Sequence, residues 1–100
     1  MAGGGQSAQP VPGKVTLVYF HADWCGPCRQ VTPALEKMAA TDADIALRKI
    51  DVTNPGAAEE HNIQALPHVK VYNSGGSLVG TVVGLDVEKV KSYVAQARSS

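Results

Sequence analysis

Only two cysteines occur in the 100 residues, alongside one tryptophan, one phenylalanine and three tyrosines. The charges cancel, nine Lys and Arg against nine Asp and Glu. Each shortage excludes something. A small secreted domain that uses disulfide bridges in place of a core needs more than one pair. A chain with no net charge and no basic run or stripe has no electrostatic footprint for nucleic acid. Its longest apolar runs fall far short of the roughly 20 residues that cross a bilayer as a helix, so membrane insertion is not expected. No internal repeat is visible. With 44% hydrophobic and 18% charged residues, the composition is that of an ordinary globular protein. At this length it holds one core and one domain.

The first ten residues, Met1 to Pro10, have neither the basic start nor the apolar stretch of a secretory signal. Residues 1–13, rich in Gly, Pro, Ser and Gln, are expected as a flexible tail, and residues 14–100 as the folded domain. The compartment stays open. The cytoplasm is the default, but an exported or periplasmic protein whose signal had been removed would look the same.

The folded part reads as alternating strands and helices. Val15 to Phe20 is apolar on both faces, as a central strand covered on both sides would be. A helix is expected from near Cys25 to Thr41, with Val31, Leu35, Met38 and Ala39 on one face, Pro27 in its first turn and a kink at Pro33. A strand from Ile45 to Val52 follows. Thr53-Asn54-Pro55-Gly56 stops it and opens a short helix, with a polar cap followed by proline, that runs to about His61. Asn73-Ser74-Gly75-Gly76 joins two strands, His68 to Tyr72 and Leu78 to Val83, as a hairpin. Asp86 caps a last helix whose buried stripe is Val87, Val90, Val94 and Ala97. The order β-α-β-α-β-β-α predicts an α/β fold, with one mixed sheet of about four strands flanked by helices.

The two cysteines fall at the handover from the first strand to the first helix, in Trp24-Cys25-Gly26-Pro27-Cys28. Two thiols at this spacing form a disulfide, exchange it, or supply half a metal shell. Zinc needs four ligands, and with no second C-x-x-C the shell would have to be completed from His21, His61 and His68. Redox chemistry fits the position better. Residues i and i+3 of a first helical turn share a face, at a separation that a disulfide tolerates. Cys25 lies where the free N–H groups and dipole of a helix favour an anion, which lowers a thiol from its usual pKa of about 8.5 and supplies thiolate, the attacking species. Cys28, one turn deeper and expected to be the more buried, suits the resolving role. Gly26 and Pro27 stiffen the turn without adding bulk between the sulfurs.

Around this pentad the chain resembles the thioredoxin family. Asp23 to Arg29 matches its active-site motif, Pro33 its helix-kinking proline, Leu66-Pro67 its cis-proline loop and Val83-Gly84 its substrate-groove glycine. The likeness runs from about Val15 to Ala97 and implies the thioredoxin fold and thiol–disulfide oxidoreductase activity. It implies Cys25 as nucleophile, Cys28 as resolving thiol and a cis Pro67. It further implies disulfide-containing protein substrates, an electron-donating reductase, no metal or organic cofactor beyond the Cys25–Cys28 couple, and a monomer. The chain departs from the family in lacking the usual first strand and helix. It has Tyr19 six residues before the first cysteine, where the family has a buried aspartate thought to help deprotonate the resolving thiol. It also has His21 at a usually aromatic position and His68 after the proline. Tyr19, His21 and His68 are therefore candidate tuning groups.

Trp24, beside Cys25 in a loop, is expected to be an exposed docking surface, Tyr19 to be core, and Asp23 to be a loop carboxylate. His61, Arg48 and Lys49 are expected to be solvated. Gly-Pro between the cysteines and an aliphatic Leu66 before Pro67 resemble reductants more than oxidants. The alternatives are an exported oxidase or isomerase, a metal-binding module, and a redox-inert adaptor that docks through Trp24.

Overall fold

A computed structural model describes residues 7–100. The elements are β1 (Val15–His21), α1 (Cys28–Thr41), β2 (Ile45–Asp51), α2 (Ala57–Glu60), β3 (His68–Tyr72), β4 (Leu78–Val83) and α3 (Val87–Ser99). They form a four-stranded mixed sheet in the order β2-β1-β3-β4. β1 runs parallel to β2, from Val15 opposite Ile45 to His21 opposite Asp51. It runs antiparallel to β3, with Phe20 opposite His68, and β3 pairs antiparallel with β4.

The apolar run of β1 explains the layering. Alternate residues of a strand face opposite sides, and every position from Val15 to Phe20 is buried. Val15, Leu17 and Tyr19 join Val31 and Leu35 of α1 and Val90, Val94 and Ala97 of α3 in the larger core. Val18 and Phe20 join Ile50, Ala57 and Ile63 in a smaller one on the other face. Buried Thr16 accepts the Val11 N–H at 2.8 Å, the Gly13 N–H donates to the Ser74 carbonyl at 3.0 Å, and Ala8 packs against the smaller core. Of the expected tail, residues 8–13 thus make contacts with the domain, and residues 1–6 lie outside the described residues.

Several boundaries differ from expectation. α1 begins at Cys28, because residues 25–27 form a turn and Pro27 serves as the N-cap at φ −60° and ψ −27°. The short helix α2 has no polar side-chain cap. It opens on Gly56 in the left-handed region at φ +81°, which glycine adopts without strain. The Asp51 carboxylate makes the preceding stop by accepting the Thr53 N–H and hydroxyl at 2.9 and 2.6 Å. His61 is half-buried rather than solvated, its ring 5.1 Å from that of Phe20. Arg48 is also half-buried, and its Nε is enclosed without a hydrogen-bond partner among the described residues. Lys49 is exposed and paired with Glu36 at 2.6 Å. As expected, Asp86 caps α3 by accepting the Lys89 N–H at 3.1 Å.

α3 lies close on β4 because position 80 is glycine: a Cβ there would come within 2.3–2.5 Å of three ring atoms of Tyr93. Gly80→Ala is expected to lower the unfolding free energy by about 1–3 kcal/mol, as overpacking generally does. Urea titration of the oxidised protein measures this, and most of the loss should disappear in a Tyr93→Leu background.

Candidate active site

β1 ends at His21, and the chain then turns sharply twice. The Cys25 N–H donates to the Ala22 carbonyl at 3.1 Å, and the Arg29 N–H to the Gly26 carbonyl at 3.1 Å. Cys25 and Cys28 are joined by a disulfide with their Cα atoms 5.3 Å apart. The Cys28 N–H, the first donor of α1, points at the Cys25 Sγ at 3.2 Å. A sulfur thus occupies the capping place normally held by a side-chain oxygen. A thiolate at Cys25 would be held by the same N–H and by the helix dipole.

The difference in burial expected of the two cysteines is small in the disulfide form: Cys25 is 5% exposed and Cys28 3%. What separates them is the side they face. Cys25 lines a cleft of about 440 Å³ with Trp24, Pro27, Ile63 and Leu66. Cys28 lines a different one of about 510 Å³ with His21, Asp23, Arg29, Thr32 and Lys49.

The first cleft is the groove. Trp24 lines it at 72% exposure. Gly26 and Pro27 are exposed and Pro67 is buried. The Leu66–Pro67 peptide is cis. The Gly84 N–H donates to the Pro67 carbonyl at 2.8 Å, with Gly84 at φ +97°, a conformation open to glycine. That bond sets Val83, 53% exposed, and Gly84 beside the proline loop, although neither lines the cleft itself.

The candidate tuning groups divide between the two faces. Tyr19 is fully buried. Its hydroxyl donates to the Cys28 carbonyl at 3.2 Å and shares a 2.7 Å bond with the Thr32 hydroxyl. Burial pushes the phenol above its ordinary value of 10, against the opposing pull of the Thr32 bond. The His21 ring stacks on Tyr19 at 5.2 Å between centroids and faces the Cys28 cleft. His68 is not brought to the thiols. Its ring meets Phe20 edge-on at 5.6 Å on the opposite face of the sheet, and it lines neither cleft. Thr32 and Asp51 were not anticipated at the site. Thr32 lies one helical turn after Cys28, and Asp51 becomes visible once the parallel register sets it opposite His21. Among the described residues no three His, Cys, Asp or Glu side chains converge as metal ligands.

The thioredoxin family model matches residues 8–96. The chain belongs to the thioredoxin family. It is 40% identical over 72 residues to a thioredoxin of Streptomyces clavuligerus, covering 71% of this chain and 66% of that protein. To a thioredoxin of Geodia cydonium it is 36% identical over 91 residues, covering 86% of each. It superposes on the crystal structure of oxidised thioredoxin O1 from Arabidopsis thaliana with a TM-score of 0.74 and 34% identity, covering 84% of this chain and 78% of that one. The chain spans between 43% and 66% of the length of its curated relatives from Streptomyces clavuligerus, Arabidopsis thaliana and Oryza sativa. Thioredoxins are thiol–disulfide oxidoreductases built on a redox-active disulfide, and the Cys25–Cys28 pair is such a bond in form and position.

Two of the departures from the thioredoxin pattern now have a physical account. Tyr19, where the family has its carboxylate, is tied to the backbone of Cys28. His68 packs edge-on against Phe20 of the smaller core. Its Nε2 is enclosed without a hydrogen-bond partner among the described residues, and burial, assisted by nearby Lys70, pushes its pKa below the usual 6.5. The unfolded chain therefore binds this proton more readily than the folded one. The contribution to stability is present above about pH 6.5 and is lost as pH falls through the lowered folded value. His68→Leu removes the titration. Urea unfolding at pH 7.5 and pH 5 should show the wild type losing stability relative to the variant at the lower pH.

Proposed function

We propose that this protein is a thiol–disulfide oxidoreductase working in the reducing direction on protein disulfides. The observation that carries the reading is the Cys25–Cys28 disulfide at the start of α1, with Cys25 facing the groove of Trp24, Pro27 and Leu66. In the dithiol form, the Cys25 thiolate attacks one sulfur of a substrate disulfide and expels the other as a thiolate, leaving a mixed disulfide. The Cys28 thiolate then attacks Cys25 Sγ, the second substrate sulfur leaves, and the Cys25–Cys28 bond closes. Two electrons pass to the substrate with no bound cofactor, and a reductase or membrane donor restores the dithiol. The exposed Trp24 face and the cis-proline loop receive an extended segment of the substrate. The unit works as a monomer, in a compartment where such a donor operates, with the cytoplasm as the default.

The helix-start position supports attack by Cys25, and the second cleft supports resolution by Cys28. Cys25→Ser should reduce the rate of insulin disulfide reduction to background. Cys28→Ser should accumulate a substrate adduct that a small thiol releases, seen on non-reducing gels, and failure to trap one would contradict the roles. The direction is read from the reduction potential. Gly26-Pro27 and Leu66 point to a value near the roughly −270 mV of reducing dithiols, and one near −180 mV or higher would identify an isomerase or oxidase.

A further inference from the structure

We propose that His21, paired in register with Asp51 across the β1–β2 ladder, takes the proton that Cys28 must lose before it resolves the mixed disulfide. This rests on the exchange reaction proposed above and concerns its second half.

Cys28 can attack only as a thiolate, so its proton needs an acceptor on the Cys28 side of the molecule. That side is the cleft of about 510 Å³ that Cys28 shares with His21, Asp23, Arg29, Thr32 and Lys49. Most of these groups are unsuited. Arginine does not deprotonate and an ammonium only donates, and Lys49 is already paired with Glu36 at 2.6 Å. The Thr32 hydroxyl is engaged with Tyr19. The Tyr19 phenol donates its proton to the Cys28 carbonyl, and its burial in the core makes it harder still to ionise. Asp23 is an exposed carboxylate, a far weaker base toward a thiol than an imidazole.

His21 fits the task. Imidazole is the side chain whose protonation changes near neutral pH. The ring is half-buried, fixed by stacking on Tyr19, and opens on the cleft that Cys28 lines. The cleft has room for a water to carry the proton between them. Asp51 stands opposite on the neighbouring strand. Its carboxyl is held below the ordinary range first by the Thr53 hydrogen bonds and then by His21 itself. An anion there stabilises the imidazolium that forms when His21 accepts the proton, against the opposing charges of Lys49 and Arg29. In the step, the Cys28 S–H bond breaks and its proton goes to the imidazole. The freed electron pair forms the bond to Cys25 Sγ. The Cys25–substrate bond breaks, and its electrons leave on the substrate thiolate, which takes up a proton from His21 or solvent.

The two halves separate in stopped-flow reaction of the reduced protein with dithiobis(nitrobenzoate). Attack by Cys25 releases the first thionitrobenzoate, in a phase that depends on reagent concentration. Resolution by Cys28 releases the second, in a phase that does not. The second phase should show an inflection near neutral pH in the wild type. His21→Gln should slow it on the order of 10²-fold at pH 7, within the range a positioned base supplies. It should also replace the inflection with a rate that keeps rising above pH 8. Asp51→Asn should move the inflection to lower pH, and Asp23→Asn should leave it in place. A wild-type profile in His21→Gln, or loss of the inflection in Asp23→Asn instead, overturns the proposal. If His21→Gln does not fold, an unmoved inflection in Asp51→Asn overturns it. Absence of any first phase in the wild type would be a failure of the exchange reading itself.

Discussion

Everything in this molecule depends on β1 being buried from both sides. A strand that is apolar on one face needs one covering layer. This one is apolar on both, so α1 and α3 must cover one side while Ile50, Ala57 and Ile63 cover the other. Burial also demands that all its backbone groups be paired, and flanking strands on both sides, one parallel and one antiparallel, provide this. The end of such a strand brings the chain out of the core at a position fixed by its neighbours. The residues from Ala22 to Pro27 are delivered there, and a groove and a second cleft are left on either side of them.

The asymmetry of the cysteines follows from that delivery. Both sulfurs belong to one bond and are nearly equally buried, so exposure does not distinguish them. Position does. Cys25 precedes the helix and receives its first N–H. Cys28 is inside the helix, its carbonyl tied to Tyr19 and its cleft separate from the one that Cys25 lines. The cis-proline loop completes the groove from the other end of the chain, where the Gly84 N–H anchors the Pro67 carbonyl.

Much of this was legible in the sequence, for identifiable reasons. The limits of β3 and β4 follow from turn chemistry, and the Asp86 cap from a local bond that a short polar side chain makes with its own helix. The start of α1 is not legible in the sequence because Pro27 holds the cap position while the Cys25 sulfur meets the first N–H, a pattern outside the usual oxygen caps. Tyr19 was readable as core, but its bond to Cys28 joins residues that only the packing of α1 on β1 brings together. The separation of His68 from the thiols depends on register. Only the pairing of Phe20 with His68 shows which face that histidine takes, and a one-residue slip would have reversed it. The meeting of His21 with Asp51 has the same origin in the parallel ladder.

The central claim is that the strand-to-helix junction makes the two thiols chemically unequal. The most direct measurement is the rate at which iodoacetamide alkylates each cysteine of the reduced protein at pH 7, resolved by peptide mass spectrometry. The account predicts that Cys25 reacts faster than Cys28 by about tenfold or more. Equal rates, or faster labelling of Cys28, would contradict it.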